Sequence, residues 1–506
     1  MVAKKIMFQG TGSDVGKSVL TAGIARILAQ EGFKTAPFKA QNMALNSYIT
    51  SDGKEISRAQ AVQAKAAKVE ATADMNPVLL KPSEDDKAQV IIQGSPRANM
   101  TAKEYFFNPE VGLEEIKDSL KQLDRDFEAL VLEGAGSPAE VNLRDYDRVN
   151  MKAARLAKAP VILVADIDRG GVFASLVGTM ELLTSKERSF VAGIVINKFR
   201  GEKERLQPGL DYLEWELEIP VLGVIPYVDE FNLPEEDAIS AFIQGAKDYE
   251  LDIGIIKLPR ISNFTDFTPL SWEPKTRLRY IEPGESLENL DAVIIPGSKN
   301  VIADLEYLYQ TGTADEIATR IKEGVTVIGI CGGYQMLGET IADLHGVEGV
   351  KRETEGLGFL DLETVLADSK VTHQVEARAV ANACGFDLGQ ERIKGYEIHQ
   401  GKSRLGSQAN PLFKVVSRSK KPVEVIAGAY SSEYNVWGTY LHGLFNNDWL
   451  RRQFINHLRR KKDLESLAGG EFSAQKKREE AYNKWASLLR RHLDLKQLGD
   501  IMGVKL

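Results

Sequence analysis

The sequence predicts an α/β protein of two domains, each a mostly parallel sheet flanked by helices, followed by a helical C-terminal segment. Three observations carry this expectation. Short runs that are apolar almost throughout alternate with longer stretches of helical period. The alternation occurs twice, in series beginning near residues 4 and 251. Each series contains a glycine-rich strand-to-helix junction. Strands lacking polar alternation are buried on both faces, the condition of a parallel sheet covered by helices.

In the first series, KIMFQ is a strand that runs into GTGSDVGKSVLTAG, residues 10–23. From Lys17 the apolar residues Val19, Leu20, Ile24, Ile27 and Leu28 recur at helical spacing, and Gly32 suits a C-terminal cap. TAPFKA is the next strand, and ALVLEGAG (129–136), APVILVADID (159–168), FVAGIVINKF (190–199) and IPVLGVIPYV (219–228) follow. Residues 1–228 form the first expected domain, and the acidic, strand-free 229–250 the linker. The second domain, 251–448, opens with DIGIIKLP, LDAVIIPGS and GVTVIGICGG as strands and carries β-rich sequence up to His442. Residues 449–506 are charged and helical in pattern.

The 506 residues suit two or three domains, and 43% hydrophobic with 27% charged residues is ordinary for a soluble globular chain. A net charge of −8 gives no nucleic-acid surface. The apolar start ends at Gln9, short for a signal peptide, and no run reaches the length of a membrane helix. With only Cys331 and Cys384 available, disulfides do not hold the fold, and a reducing cytoplasm is expected.

The first junction departs by one residue from the common phosphate-binding loop, since Thr11 stands where the first glycine belongs. A strand-to-helix loop still offers backbone N–H groups and the helix dipole to an anion. Gly10, Thr11, Gly12, Gly16, Lys17 and Ser18 are therefore the candidate nucleotide-binding residues. Lys17 is placed to reach the terminal phosphates, and Ser18 to ligate Mg²⁺. Asp166 and Asp168 close another strand, near the metal or simply structural.

The second junction, VTVIGICGGYQMLG, sets Cys331 between small residues at a strand-to-helix turn, the pattern of a nucleophile elbow. A thiolate at such a turn is a competent nucleophile, and it needs a base. His442 in WGTYLHGLF is the best candidate and His399 in GYEIHQG the alternative. Cys384 has no comparable setting. His345, His373, His457 and His492 sit in polar contexts and are read as surface residues.

Gly, five residues, then Gly-Lys-Ser resembles the dethiobiotin synthetase-like branch of P-loop proteins, which use ATP to activate a carboxylate. That resemblance implies an Mg²⁺-binding acid at a later strand end, which is Glu133, and makes Asn197, beside Lys198, similar to an Asn-Lys pair that reads adenine. The strand-Cys-helix unit with a downstream histidine resembles the flavodoxin-like class I (triad) glutamine amidotransferase domain, which frees ammonia from glutamine through a thioester. The usual Glu two residues beyond the histidine is replaced by Leu444, a feature of the cobyrinic and cobyric acid synthases. What orients His442 is left open.

As a whole the chain resembles the cobyric acid synthase family through FKAQNMALNSY (38–48), NPVLLKP, EGAGSPAEVNLRDYDRVNM, ADIDRGGVFASL, NKFRG, PGSKN, GICGGYQMLG and GYEIHQG. The resemblance implies a corrinoid partner, adenosylcobyrinic acid a,c-diamide, amidated at side chains b, d, e and g with ATP, Mg²⁺ and glutamine. Two other readings stay open at this point: the sister cobyrinic acid a,c-diamide synthase, and a partition-type P-loop ATPase with a non-catalytic glutaminase-like module. Arg144, Arg169 and Arg200 follow expected strand ends, where they would meet substrate carboxylates or lie on the surface.

Overall fold

The computed structural model describes residues 2–84, 87–108, 110–228, 248–349, 352–380, 391–468 and 473–506. Cys384 and most of the expected linker lie outside the described residues. The chain forms two compact units that are not contiguous in sequence. The first contains residues up to Ala44, the stretch from Glu55 towards the linker, and Arg478–Leu506; the second contains Leu45–Lys54 and the residues from the linker to Lys477.

In the first unit a six-stranded sheet is built from β1 (Lys4–Gly10), β2 (Thr35–Phe38), β3 (Ala129–Glu133), β4 (Val161–Asp166), β5 (Val191–Phe199) and β6 (Val221–Pro226). Its order is β6-β5-β4-β1-β3-β2, and every pairing is parallel. β1, the strand that feeds the glycine loop, is thus central and buried on both faces. Helix α1 (Lys17–Gln30) follows the loop, with Gly32 in the left-handed region just past its end. A smaller four-stranded sheet within 41–101, largely antiparallel, is an addition that the sequence reading did not anticipate.

The expected separate tail is divided between the units. Residues 478–506 cover α1: Tyr482, Trp485 and Leu489 share its core with Leu20, Ile24 and Ile27. Trp485 Nε1 donates to the Val19 carbonyl at 2.6 Å, and a side chain at Gly23 would collide with Leu489 and Trp485. The apolar stripe of the last helices therefore completes the cover of the P-loop helix.

In the second unit β7 (Leu251–Ile256), β8 (Thr276–Ile281), β9 (Ala292–Ile295) and β10 (Thr326–Ile330) are parallel, and β10 pairs in parallel with a strand at Val436–Thr439. Antiparallel strands at Ala429–Tyr430 and Asn410–Pro411 complete the sheet. A second sheet, mostly antiparallel, contains β11 (Leu362–Ala379) and β12 (Ile393–Leu405). β12 carries the sequence GYEIHQG.

Candidate functional sites

In the first unit the glycine loop closes on itself through named constraints. A side chain at Gly10 would lie 2.6 Å from Val15 Cγ2, and Gly16, with φ 98°, caps α1 where a Cβ would sit 2.2 Å from Asn197 Nδ2. Only glycine satisfies both positions. Gly12 has open space around it, and Thr11 N donates to the Val164 carbonyl at 2.9 Å. Lys17 Nζ donates to the carbonyls of Gly12, at 2.7 Å, and Gly136, at 3.1 Å. Burial lowers the Lys17 pKa to about 8, with Glu133 opposing the fall and Lys39 adding to it.

Glu133 is the centre of this site. Its carboxylate, 1% exposed at the end of β3, accepts from Ser18 Oγ at 2.7 Å and Lys39 Nζ at 2.9 Å, and from the Gln63 amide. Burial opposes its ionisation, but Lys39, Ser18 and Gln63 outweigh it and hold the carboxyl below the usual range. The loop after Glu133 is clamped by Asn150, which accepts from Ala135 N at 3.0 Å and donates to the Ala135 carbonyl at 2.7 Å. Among the described residues no cluster of three or more His, Cys, Asp or Glu could hold a metal. The Ser18 hydroxyl and Glu133 carboxylate are nevertheless adjacent hard oxygen donors, which fits Mg²⁺ that takes its remaining ligands from phosphates and water.

Asn197, expected to read adenine, donates its amide to the Val15 carbonyl at 2.8 Å and is buried against the loop. This contact is a brace on the loop backbone. Lys198 donates to the Asp14 carbonyl at 2.6 Å and lies 3.0 Å from Asp166, while Asp168 pairs with Arg200 at 3.0 Å. Arg200 also stacks on Tyr227, Arg144 donates to the Leu182 carbonyl, and Arg169 is an exposed neighbour of Asp14.

In the second unit Cys331 directly follows β10 with φ 52° and ψ −103°, a backbone that side chains rarely adopt. The turn is enforced on all sides. A Cβ at Gly333 would lie 2.0 Å from the Ile295 carbonyl oxygen, and one at Gly329 2.5 Å from the Gly333 oxygen. Cys331 N donates to the Thr439 carbonyl at 2.8 Å, and Sγ lies 3.5 Å from the Ile398 carbonyl. These are the constraints of a nucleophile elbow.

His442, buried beside Cys331, donates from Nδ1 to Asp266 Oδ2 at 2.6 Å. Tyr396 OH donates to the other Asp266 oxygen at 3.1 Å, and its ring stacks on His442 with centroids 5.0 Å apart. Burial opposes the charged imidazole, but the Asp266 carboxylate and Cys331 outweigh it and push its pKa up to about 10. Among the described residues Nε2 has no partner at hydrogen-bond geometry, and Cys331 is near enough to favour the charged imidazole. Asp266 is thus the carboxylate that orients the imidazole, while Leu444, two residues beyond His442, is buried in the core. Sequence reasoning passed over Asp266; the signal was an acid enclosed by the apolar residues of NFTDF, which must find a partner when buried.

His399 is not against the Asp266 carboxylate. It stacks on Tyr440 at 3.8 Å, bonds the Gly401 carbonyl through Nδ1 at 2.8 Å, and lies 3.9 Å from Glu397. Glu397 itself accepts from Arg418 Nε at 2.7 Å and Nη2 at 2.9 Å. His457, expected at the surface, is buried on the inner face of the helix Asp448–Lys461.

Residues 6–240 match the model of the CobQ/CobB/MinD/ParA nucleotide binding domain, and residues 252–449 match that of the CobB/CobQ-like glutamine amidotransferase domain. The cobyric acid synthase of Desulforamulus reducens is 49% identical over 99% of both chains. Those of Carboxydothermus hydrogenoformans and Syntrophobacter fumaroxidans are 47% and 45% identical over 99% of this chain and at least 99% of their own. The chain belongs to the cobyric acid synthase family. It is a ligase of the kind that joins a nucleotide-binding domain to a glutamine amidotransferase domain.

Proposed function

We propose that the chain amidates the b, d, e and g carboxylates of adenosylcobyrinic acid a,c-diamide in cobalamin biosynthesis, using ATP and ammonia drawn from glutamine. Full-length similarity to cobyric acid synthases, with Glu133–Ser18–Lys17 and Cys331–His442–Asp266 all in place, supports this reading. In the first centre Lys17 would bind the terminal phosphates of ATP, and the backbone of Gly10, Thr11, Gly12 and Gly16 would cradle them. Ser18 and Glu133 would hold Mg²⁺, whose charge assists phosphoryl transfer to the substrate carboxylate. Asn197 would keep the loop in shape through Val15.

In the second centre Cys331 Sγ would attack the glutamine side-chain carbonyl, and the C–N bond would break as His442 Nε2 protonates the departing ammonia. Water would then release glutamate from the thioester. Ammonia would attack the acyl phosphate, forming the amide and freeing inorganic phosphate. Asp266 would fix the imidazole tautomer. The chemistry suits a reducing cytoplasm, where Cys331 stays a thiol. An ATPase with a dead glutaminase module is disfavoured by the ordered Cys331–His442–Asp266 set.

The substrate is tested by incubating the protein with ATP, Mg²⁺, glutamine and each corrinoid acid, then locating the new amides by mass spectrometry. Amides at b, d, e and g of the a,c-diamide are expected; amidation of a and c alone would assign the sister reaction. Glu133→Gln should weaken activity on the order of 10²-fold and raise the Mg²⁺ concentration needed for half-maximal rate. A Mg²⁺ titration matching the parent's would remove Glu133 from the metal site.

Asp266→Asn carries a pH signature. His442 keeps its proton up to about pH 10 because Asp266 and Cys331 overcome burial. Neutralising Asp266 lowers that value, so the alkaline limb of kcat/KM for glutamine should move to lower pH. The rate itself should fall on the order of 10²- to 10⁴-fold, as for a triad Asp→Asn change. An unmoved alkaline limb would mean that Asp266 does not set the imidazole charge.

A further inference from the structure

Residues 45–54 come from the first half of the sequence, yet they belong to the second unit. They meet the catalytic groups of that unit from two directions. Asn46 Oδ1 accepts from Phe264 N at 3.1 Å, and Asn263 Oδ1 accepts from Ser47 N at 3.0 Å. This reciprocal pair grips a turn that needs holding, because Asn263 is left-handed with φ 54° and the turn carries Asp266. Asp266 N in turn donates to the Asn263 carbonyl at 3.0 Å. Asn46, Ser47, Asn263 and Asp266 are all buried. From the other direction, Ile49 forms a small apolar cluster with Tyr396 and Ile398. Tyr396 holds Asp266 and stacks on His442, and the Ile398 carbonyl faces Cys331 Sγ. Thr372 Oγ1 donates to the Gly53 carbonyl at 3.0 Å, and the Gln374 amide donates to the Ile49 carbonyl, tying the excursion to β11.

We propose that Asn46 is a positioning residue for glutamine hydrolysis, acting through the Asp266 turn on His442, so that the glutaminase centre is completed by a segment from the synthetase half of the sequence. The inference rests on the reading of Cys331 and His442 as the glutaminase pair. The carboxylate must meet Nδ1 in line, and its turn has a left-handed residue three positions before Asp266. Removing the Asn46 side chain breaks one half of this reciprocal pair inside a buried turn, a cost the turn relieves by shifting.

The test uses the full chain. Asn46→Ala should lower glutamine-dependent amidation about 10- to 100-fold, the size of effect seen for groups that orient a functional side chain. Amidation with ammonium chloride should stay at the parent's rate, and the alkaline limb of the glutaminase pH profile should move to lower pH, as in Asp266→Asn. Asn46→Asp, which keeps an accepting oxygen, should recover most of the loss. Combined with Asp266→Asn, Asn46→Ala should add little, because both act on one group. Parental glutamine use in Asn46→Ala, equal loss with both nitrogen donors, equal loss in Asn46→Asp, or full additivity with Asp266→Asn would each overturn the proposal. Glutamine use surviving in Cys331→Ala would instead refute the reading beneath it.

Discussion

Cys331→Ala is expected to abolish glutamine-dependent amidation while amidation with ammonium salt persists. Without Sγ no thioester forms, and loss of a catalytic nucleophile is expected to cost roughly 10⁴-fold or more. The synthetase centre needs only free NH₃ near an acyl phosphate, so ammonium chloride should restore product, more effectively as pH rises and the NH₃ fraction grows. His442→Ala should follow the same pattern with a larger residual glutaminase, since the thiol keeps some thiolate unaided. Product formation by each variant with glutamine, then ammonium chloride, at two pH values reads this out. A Cys331→Ala protein that still uses glutamine would overturn the assignment; one inactive with both donors would deny that the chemistries are separable.

Lys17→Ala should show the converse pattern. The phosphates of ATP lose a cationic contact that strengthens in the transition state, a loss on the order of 10²- to 10³-fold for a single preorganised group. Ammonium salt should not rescue it, because nitrogen supply is not what fails. Glutamate release should continue, as that chemistry uses Cys331, His442 and Asp266. Unimpaired ATP-dependent amidation by this variant would remove Lys17 from the nucleotide site.

The pattern of what could be read in advance follows sequence distance. The glycine loop and the Cys331 elbow are local: one short stretch contains the strand, the turn and the helix start, so the spacing of glycines suffices. Partners across the fold are another matter. Asp266 lies 176 residues before His442, and Lys39 lies 94 residues before Glu133. Neither pair has a spacing rule, because the topology of the sheets brings them together. The linear division into domains also missed two exchanges. Residues 45–54 leave the first unit, and 478–506 return to it to cover α1 with Trp485 and Leu489. Asn197 was recognised by its motif, but a motif carries no direction for the side chain, which turns to Val15. The mostly antiparallel sheet around β11 and β12 escaped notice because its half-exposed strands mix polar and apolar residues.

The central claim is that ATP activates a carboxylate in one centre and that the nitrogen attacking it comes from glutamine hydrolysed in the other. A double-label turnover tests it directly, with ¹⁸O in the carboxylates of the corrinoid a,c-diamide and ¹⁵N in the side-chain amide of glutamine. An acyl phosphate intermediate predicts that ¹⁸O appears in inorganic phosphate as each amide forms, and that ¹⁵N appears in the product at b, d, e and g. Label passing to AMP, phosphate free of ¹⁸O, or product amides without ¹⁵N would contradict the account.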